Sequence, residues 1–268
     1  PIPKGWGIQI DIADPQEIEG RLVKEHRQAA LDTVSEYSET GLSINVVVVA
    51  GNPAIEIVRQ VLRGKHDLVI KTADEFAGMG RLFGTVALSL LRTCPCPVWL
   101  LKPEVFGEFD CVLAAVDVAS ETEEHIEFNR RIVKLAHSVA KRENAKLHLV
   151  TAWDLRLPVS LRKTMNNVDL DAAVSRYESR VFRSLDELVR VEYAKPSDFS
   201  CHVKRGRASE VIQKLAAKIE ADLMVMGTVY RTRVPGLLIG STAETVLTNV
   251  DCSVLAIKPK GFVCPVEV

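Results

Sequence analysis

Short runs of consecutive apolar residues alternate with stretches in which apolar residues recur every three or four positions. From residue 109 onward this alternation predicts β-α-β-α-β-α-β-α-β. Cys111–Val116 (CVLAAV) is a continuous apolar strand ending at Asp117, and Ser120-x-x-Glu123 reads as a capping box before a helix to about Arg142. Leu147–Ala152 is a second strand, 169–193 a long amphipathic helix, and His202–Lys204 a third strand. A helix at about 209–220, a strand at 223–226, a helix from Ser241 and a strand at 253–257 complete the series. Strands this apolar are buried on both faces, which implies a parallel sheet covered by helices. Ligands of such sheets bind beyond the strands' carboxyl ends, where strand order reverses. Asp117 and Gly227 both stand at such ends.

The earlier part of the chain follows the same rhythm: a helix at about 15–39, strand 44–49, helix 53–63, strand 67–70, helix 84–93 and strand 97–101. Residues 84–103 (GTVALSLLRTCPCPVWLLKP) align with 240–259 (GSTAETVLTNVDCSVLAIKP) at a period of about 156 residues. Gly84 matches Gly240, Thr85 matches Ser241, Cys96 matches Cys252, and Lys102-Pro103 matches Lys258-Pro259. Further upstream, VVVAG ending at Gly51 parallels VKRG ending at Gly206. The first half has no counterpart of 109–152, a strand, helix and strand. With the period as the ruler, roughly 45 residues are expected ahead of Pro1.

Composition narrows the class. The 268 residues are 47% hydrophobic and 26% charged, as in an ordinary globular protein of about two domains. A net charge of −1 gives no basis for bulk binding to nucleic acid or to an anionic membrane, and no apolar run is long enough to span a bilayer. The six cysteines form no CxxC pair, and Cys94-Pro95-Cys96 is the closest couple. Reduced, mostly buried thiols suit a cytoplasmic chain. No HExxH or P-loop motif is present, and Gly78–Gly84 only imitates a dinucleotide fingerprint, its third glycine standing one place too far away.

The segment from Leu223 to Ala256 carries the candidate chemistry. Gly227 ends a strand, which lets backbone approach a ligand closely. Gly240-Ser241-Thr242 opens a helix, whose first N–H groups lack intrahelical partners and carry the positive end of the dipole. Arg231 and Arg233 lie between, and no acidic residue occurs from Gly227 through Ala243. A phosphate group suits such a cradle. The plainer reading of each residue stands beside it: Asp117 as a turn cap, the arginines as exposed loop residues, and Ser241 and Thr242 as helix-start residues.

With the repeat, the element order and the loop spacing together, the whole chain resembles the universal stress protein family, most closely its tandem E-type. The family's nucleotide motif, Gly-x2-Gly-x9-Gly-(Ser/Thr), is matched by Gly227, Tyr230 and Gly240-Ser241, with tyrosine in place of the second glycine. The family's first-strand aspartate corresponds to Asp117. The resemblance implies an α/β fold of two tandem domains (1–103 and 109–268, joined by a linker at 104–108), each an open five-stranded parallel sheet of order 3-2-1-4-5 with helices on both faces. It implies ATP or ADP, with or without Mg²⁺, bound by Val116, Asp117, Met226, Gly227, Arg231, Gly240, Ser241 and Thr242. It also implies domain pairing through the fifth strands, and leaves further homodimerisation open. In the first half, Lys71 or Thr72 stands at the first glycine position and Asp74 or Glu75 near the second, so only Gly84-Thr85 survives. Carboxylates there oppose phosphate. The expected function is non-catalytic nucleotide binding in a stress response. Slow ATP or ADP hydrolysis, and an interaction scaffold holding another small molecule or none, are the alternatives.

Overall fold

The computed structural model describes residues 15–37, 40–72, 84–102, 109–120, 122–155, 166–192, 199–228 and 239–268. They fall into two compact units, Pro1–Lys65 with Val266–Val268, and His66–Pro265.

The smaller unit holds helices α1 (Pro15–Ser35) and α2 (Pro53–Gly64). Asn52 Oδ1 accepts the Ile55 N–H at 3.3 Å and Pro53 supplies a preset φ, so α2 starts sharply. Lys65 ends it in the left-handed region at φ 51°, its N–H bonded to the Val61 carbonyl. Ala54, Val58 and Val61 form its buried face. Arg59 donates to Glu56 Oε1 at 2.7 Å and to the Glu267 carbonyl at 3.2 Å.

The strand expected at 44–49 does not form: residues 42–50 have no regular structure, and Ile44, Val47 and Val49 are exposed. In the order 3-2-1-4-5 a third strand has the second as its only neighbour. No strand precedes it among the described residues, so none of them offers its backbone groups a sheet partner. The repeat nevertheless survives in the backbone. Gly51 and Gly206, at equivalent places before their helices, adopt φ 145° and 142°, where a side chain is strained.

The larger unit contains one seven-stranded sheet. Its strands are β1 (Val69–Thr72), β2 (Val98–Leu101), β3 (Cys111–Ala115), β4 (Lys146–Trp153), β5 (Phe199–Arg205), β6 (Leu223–Gly227) and β7 (Ser253–Ile257), in the spatial order β1-β2-β7-β6-β3-β4-β5. Strands β3 to β7 are mutually parallel and realise the order 3-2-1-4-5. Between β1 and β2 runs α3 (Thr85–Thr93). The later crossovers are α4 (Glu123–Glu143), α5 (Asn167–Glu192), α6 (Ala208–Lys218) and α7 (Ser241–Leu247). Alternate residues divide the sheet's two faces. Val112, Ala114, Leu149, Leu223 and Val225 join Phe128, Ile132 and Val133 of α4 and Leu185 of α5 in one core. Leu113, Met224 and Val254 are buried on the other face, where α6 and α7 pack together.

The fifth strands of the two halves meet. β2 pairs antiparallel with β7 through Val98↔Ala256, Trp99↔Leu255 and Leu100↔Val254. Each residue and its repeat counterpart exchange partners, so the pairing has the self-complementary form of a two-fold dimer within one chain. Side chains reinforce the seam. Lys102 reaches Asp251 at 2.8 Å beyond α7, Arg92 pairs with Glu244, and Lys258 Nζ donates to the Leu91 and Arg92 carbonyls at 2.6 and 3.1 Å.

At the opposite edge, the sequence signal for the third strand was only His202–Lys204, yet β5 runs for seven residues because every one aligns with β4. His148 Nδ1 and His202 Nε2 lie 2.9 Å apart with stacked rings. Burial first, then lysines (Lys146 beside His148; Lys204 and Lys218 beside His202), together with His148 for His202, lower both from the ordinary 6.5. The neutral pair is therefore favoured by the fold. Its stabilisation is complete above pH 6.5 and declines as the pH falls through that value toward the folded ones. Urea titrations at pH 7.5 and 5 should show the loss, and it should be smaller in His202→Gln. Equal loss in that variant would contradict the assignment.

Candidate functional site at the carboxyl edge

Strand order reverses between β3 and β6: the chain leaves β3 toward β4 on one side and leaves β6 toward β7 on the other. Ala115 pairs with Met226, so Val116 and Asp117 emerge beside Gly227 and Thr228. This brings together the two banks of the crevice anticipated from the sequence.

On the β3 side, the buried Val116 extends the pairing by one residue, its N–H donating to the Val150 carbonyl at 3.0 Å. Asp117 is then held from α4. Its carbonyl accepts Asn129 Nδ2 at 2.6 Å and lies 2.6 Å from His125 Nε2, and its N–H donates to Asn129 Oδ1 at 3.3 Å. His125 and Asn129 are buried, one helical turn apart. The Asp117 carboxylate caps the local turn, Oδ1 accepting the Ala119 N–H at 3.0 Å, while its side chain is 54% exposed. The plainer reading of Asp117 thus describes one oxygen, and the other, Oδ2, lies 4.0 Å from His125 Nε2. Holding Asp117 also displaces the expected capping box. Thr122, not Ser120, is the N-cap of α4, its carbonyl accepts the His125 and Ile126 N–H groups, and its side chain makes no cap bond. The helix starts where His125 can reach Asp117. Neither His125 nor Asn129 was singled out from the sequence as a site residue. Their four-residue spacing on the helix following an Asp-terminated strand was the available signal.

On the β6 side, Met226 is buried, and Gly227 has a reason to be glycine other than ligand approach. A Cβ there would lie 2.5 Å from Phe128 Cε1 and 2.7 Å from Cζ. Thr228, fully enclosed, donates its N–H to Ile257 O at 3.1 Å and accepts the Gly240 N–H at 2.8 Å. Thr228 and Gly240 are therefore tied together, and α7 begins at the same edge. Gly240 is the N-cap at φ −78° and ψ 147°, and Ser241 and Thr242 are exposed. The acid of the first turn, Glu244, is engaged by Arg92. Tyr230, Arg231 and Arg233 lie outside the described residues, as do Asp74, Glu75 and the 78–83 glycine loop. In the first half, Lys71 Nζ donates to the Thr72 carbonyl at 2.7 Å, and Gly84 caps α3 as Gly240 caps α7.

The family model described as the universal stress protein family matches residues 7–102 and 109–258. The chain belongs to the universal stress protein family. It is 32% identical to universal stress protein E of Escherichia coli K12 over 234 residues, 86% of this chain and 73% of that protein. To universal stress protein E of Photorhabdus laumondii it is 30% identical over 235 residues, 86% of this chain and 74% of the relative. Among solved structures, one assigned to the universal stress proteins of Pseudomonas aeruginosa superposes with a TM-score of 0.72 at 28% identity, covering 88% of this chain and 80% of its own. A universal stress protein from Archaeoglobus fulgidus shares the fold at a TM-score of 0.60 and 20% identity, covering 92% and 83%. Universal stress protein folds therefore account for both halves, and the two matched segments follow the internal repeat.

Among the described residues no group of three or more His, Cys, Asp or Glu side chains is placed to hold a metal ion, and no helix is long and apolar enough to cross a membrane.

Proposed function

We propose that this universal stress protein is a cytoplasmic, non-catalytic receptor for ATP or ADP, bound by its second half at the β3–β6 crevice. The observation that carries the reading is the meeting of a rigidly held Asp117 and the start of α7 on one edge, through Ala115↔Met226 and the Thr228–Gly240 bond. The residues suit the ligand. The exposed carboxylate of Asp117 accepts hydroxyl or amino hydrogens of the nucleoside. At Gly240–Thr242 the amides of a helix start stand at the same edge, and the acid of that helix's first turn, Glu244, is already paired with Arg92. Val116, Met226 and Gly227 supply the floor, and Arg231 an additional cation for phosphate. Mg²⁺, where bound, would neutralise phosphate charge. The second reading, a scaffold with no nucleotide, draws on one observation: the space above Gly227 already belongs to Phe128.

Calorimetric titration with ATP and ADP separates them. Among the described residues a Cβ at Gly240 meets only the Thr228 carbonyl, at an ordinary 3.6 Å, so they leave room for a side chain there. Gly240→Val is expected to weaken nucleotide binding about tenfold or more, about 1.4 kcal/mol, with the same far-UV spectrum and cooperative unfolding as wild type. Asp117→Ala should weaken it less. Undiminished affinity in Gly240→Val would refute the phosphate seat. Absence of any heat with the wild type at millimolar ATP would favour the scaffold. Phosphate release that vanishes with Asp117→Ala would favour the hydrolase.

A further inference from the structure

Away from the crevice, at the end of α3 where the chain turns into β2, three thiols and a lysine gather. Cys94 Sγ lies 3.5 Å from Cys96 Sγ. Cys264, from the C-terminal segment, donates to the Thr93 carbonyl at 3.2 Å, and buried Lys258 holds the next two carbonyls back. Cys94 is fully enclosed, whereas Cys96 and the adjoining Pro95 are partly open to solvent. One cysteine is thus sealed inside, and the other, whose sulfur is in hydrogen-bond contact with it, is partly open to solvent. Nothing in the nucleotide reading uses this pair.

We infer that Cys94 and Cys96 form an oxidation site for small hydroperoxides, Cys96 being the attacking thiol and Cys94 the one that resolves it. The Cys96 thiolate attacks one peroxide oxygen, the O–O bond breaks, and the departing oxygen leaves as water or an alcohol after taking a proton. Cys96 is then a sulfenic acid. Cys94 attacks that sulfur, its proton and the sulfenic hydroxyl leave as water, and an S–S bond forms. Two thiols and one peroxide thereby give a disulfide, one water and one further water or alcohol. The assignment of roles follows the contact. The hydrogen bond from Cys94 holds Cys96 below its ordinary 9.0, while the same bond, then burial, pushes Cys94 up. The outer sulfur is the better anion, and the thiolate is the nucleophile. Closure requires the sulfurs to approach from 3.5 Å to about 2.05 Å, a side-chain adjustment within one turn. Cys201 is an internal control: it is exposed, and burial of its sulfur, then Asp186, raises it above 9.0.

The test is peroxide treatment of the full reduced chain at pH 7, followed by alkylation and peptide mapping. The expected product is a peptide carrying a 94–96 bridge, with Cys96 lost about tenfold faster than Cys201. In Cys94→Ala, dimedone should trap a stable sulfenic acid at Cys96, formed several-fold more slowly. In Cys96→Ala, Cys94 should stay reduced. Loss of Cys201 at the same rate with the pair intact, or a bridge from Cys94 to Cys264, would overturn the inference, and the wild-type map decides this whatever the variants' folding.

Discussion

Replacing Gly227 with alanine is expected to cost the fold about 2 kcal/mol. The new methyl would lie 2.5 Å from the Phe128 ring, well inside contact distance, and 3.6 Å from Ile132 Cδ1. Phe128 is buried in the core with Ile132, Leu149 and Val225 and has no solvent to swing into. Overpacking of this kind costs about 1–3 kcal/mol, and only a few tenths to about 1 kcal/mol returns from the stiffer unfolded chain. A urea midpoint lowered at unchanged slope is the expected measurement. Phe128→Leu in the same chain should recover part of the loss, giving a coupling energy on the order of 1 kcal/mol. If Gly227 instead served only close approach of a ligand, alanine would reduce nucleotide affinity and leave the midpoint alone.

The second large effect concerns pH. Lys258 is 5% exposed, and its burial pulls the ammonium down from 10.5 to about 7, against the opposing pull of Cys94 and Cys264. Its bonds to the Leu91 and Arg92 carbonyls and the Phe262 ring 4.5 Å away recover only part of the lost hydration. Between pH 7 and 10.5 the unfolded chain holds a proton that the folded chain has released, so stability rises with pH across that window. The span corresponds to at most about 5 kcal/mol. Lys258→Met removes the titration and leaves two carbonyls at the end of α3 without their donor. Near pH 6 the variant and wild type should differ little, the lost penalty offsetting the lost bonds. By pH 10 the variant should be several kcal/mol less stable. Chemical denaturation at the two pH values reads the difference directly, and a gap that does not widen with pH would contradict the buried-lysine account. Cys94 and Cys264 surround the same amine, so the denaturation belongs under reducing conditions.

Much of the architecture was legible because it rests on local pattern. The apolar runs at 111–116, 223–226 and 253–257 became β3, β6 and β7 nearly unchanged, since a strand buried on both faces must be apolar throughout. β5 was under-read because it is an edge strand with exposed Ser200, Cys201 and Lys204, and its length is set by its partner β4. The strand at 44–49 was over-read for the converse reason: its valines suit a sheet, and no neighbour is present among the described residues. The candidate site shows the same division. Asp117 and Gly240 were visible from their positions at a strand end and a helix start. The hold of His125 and Asn129 on Asp117, and the Phe128 ring against Gly227, were not, because they join residues brought together by the packing of α4 on the sheet.

What the sequence determined by itself is the repeated βα rhythm, the central place of the apolar strands and the location of the crevice, all consequences of hydrophobic periodicity and of Gly, Asp and Ser at element ends. The tertiary structure alone decided which partners those elements receive. The β2–β7 seam, the lysine driven beneath another half's helix and the Cys94–Cys96 contact depend on distances across the fold. Burial and pairing energies arise from such distances, and one-dimensional spacing does not encode them.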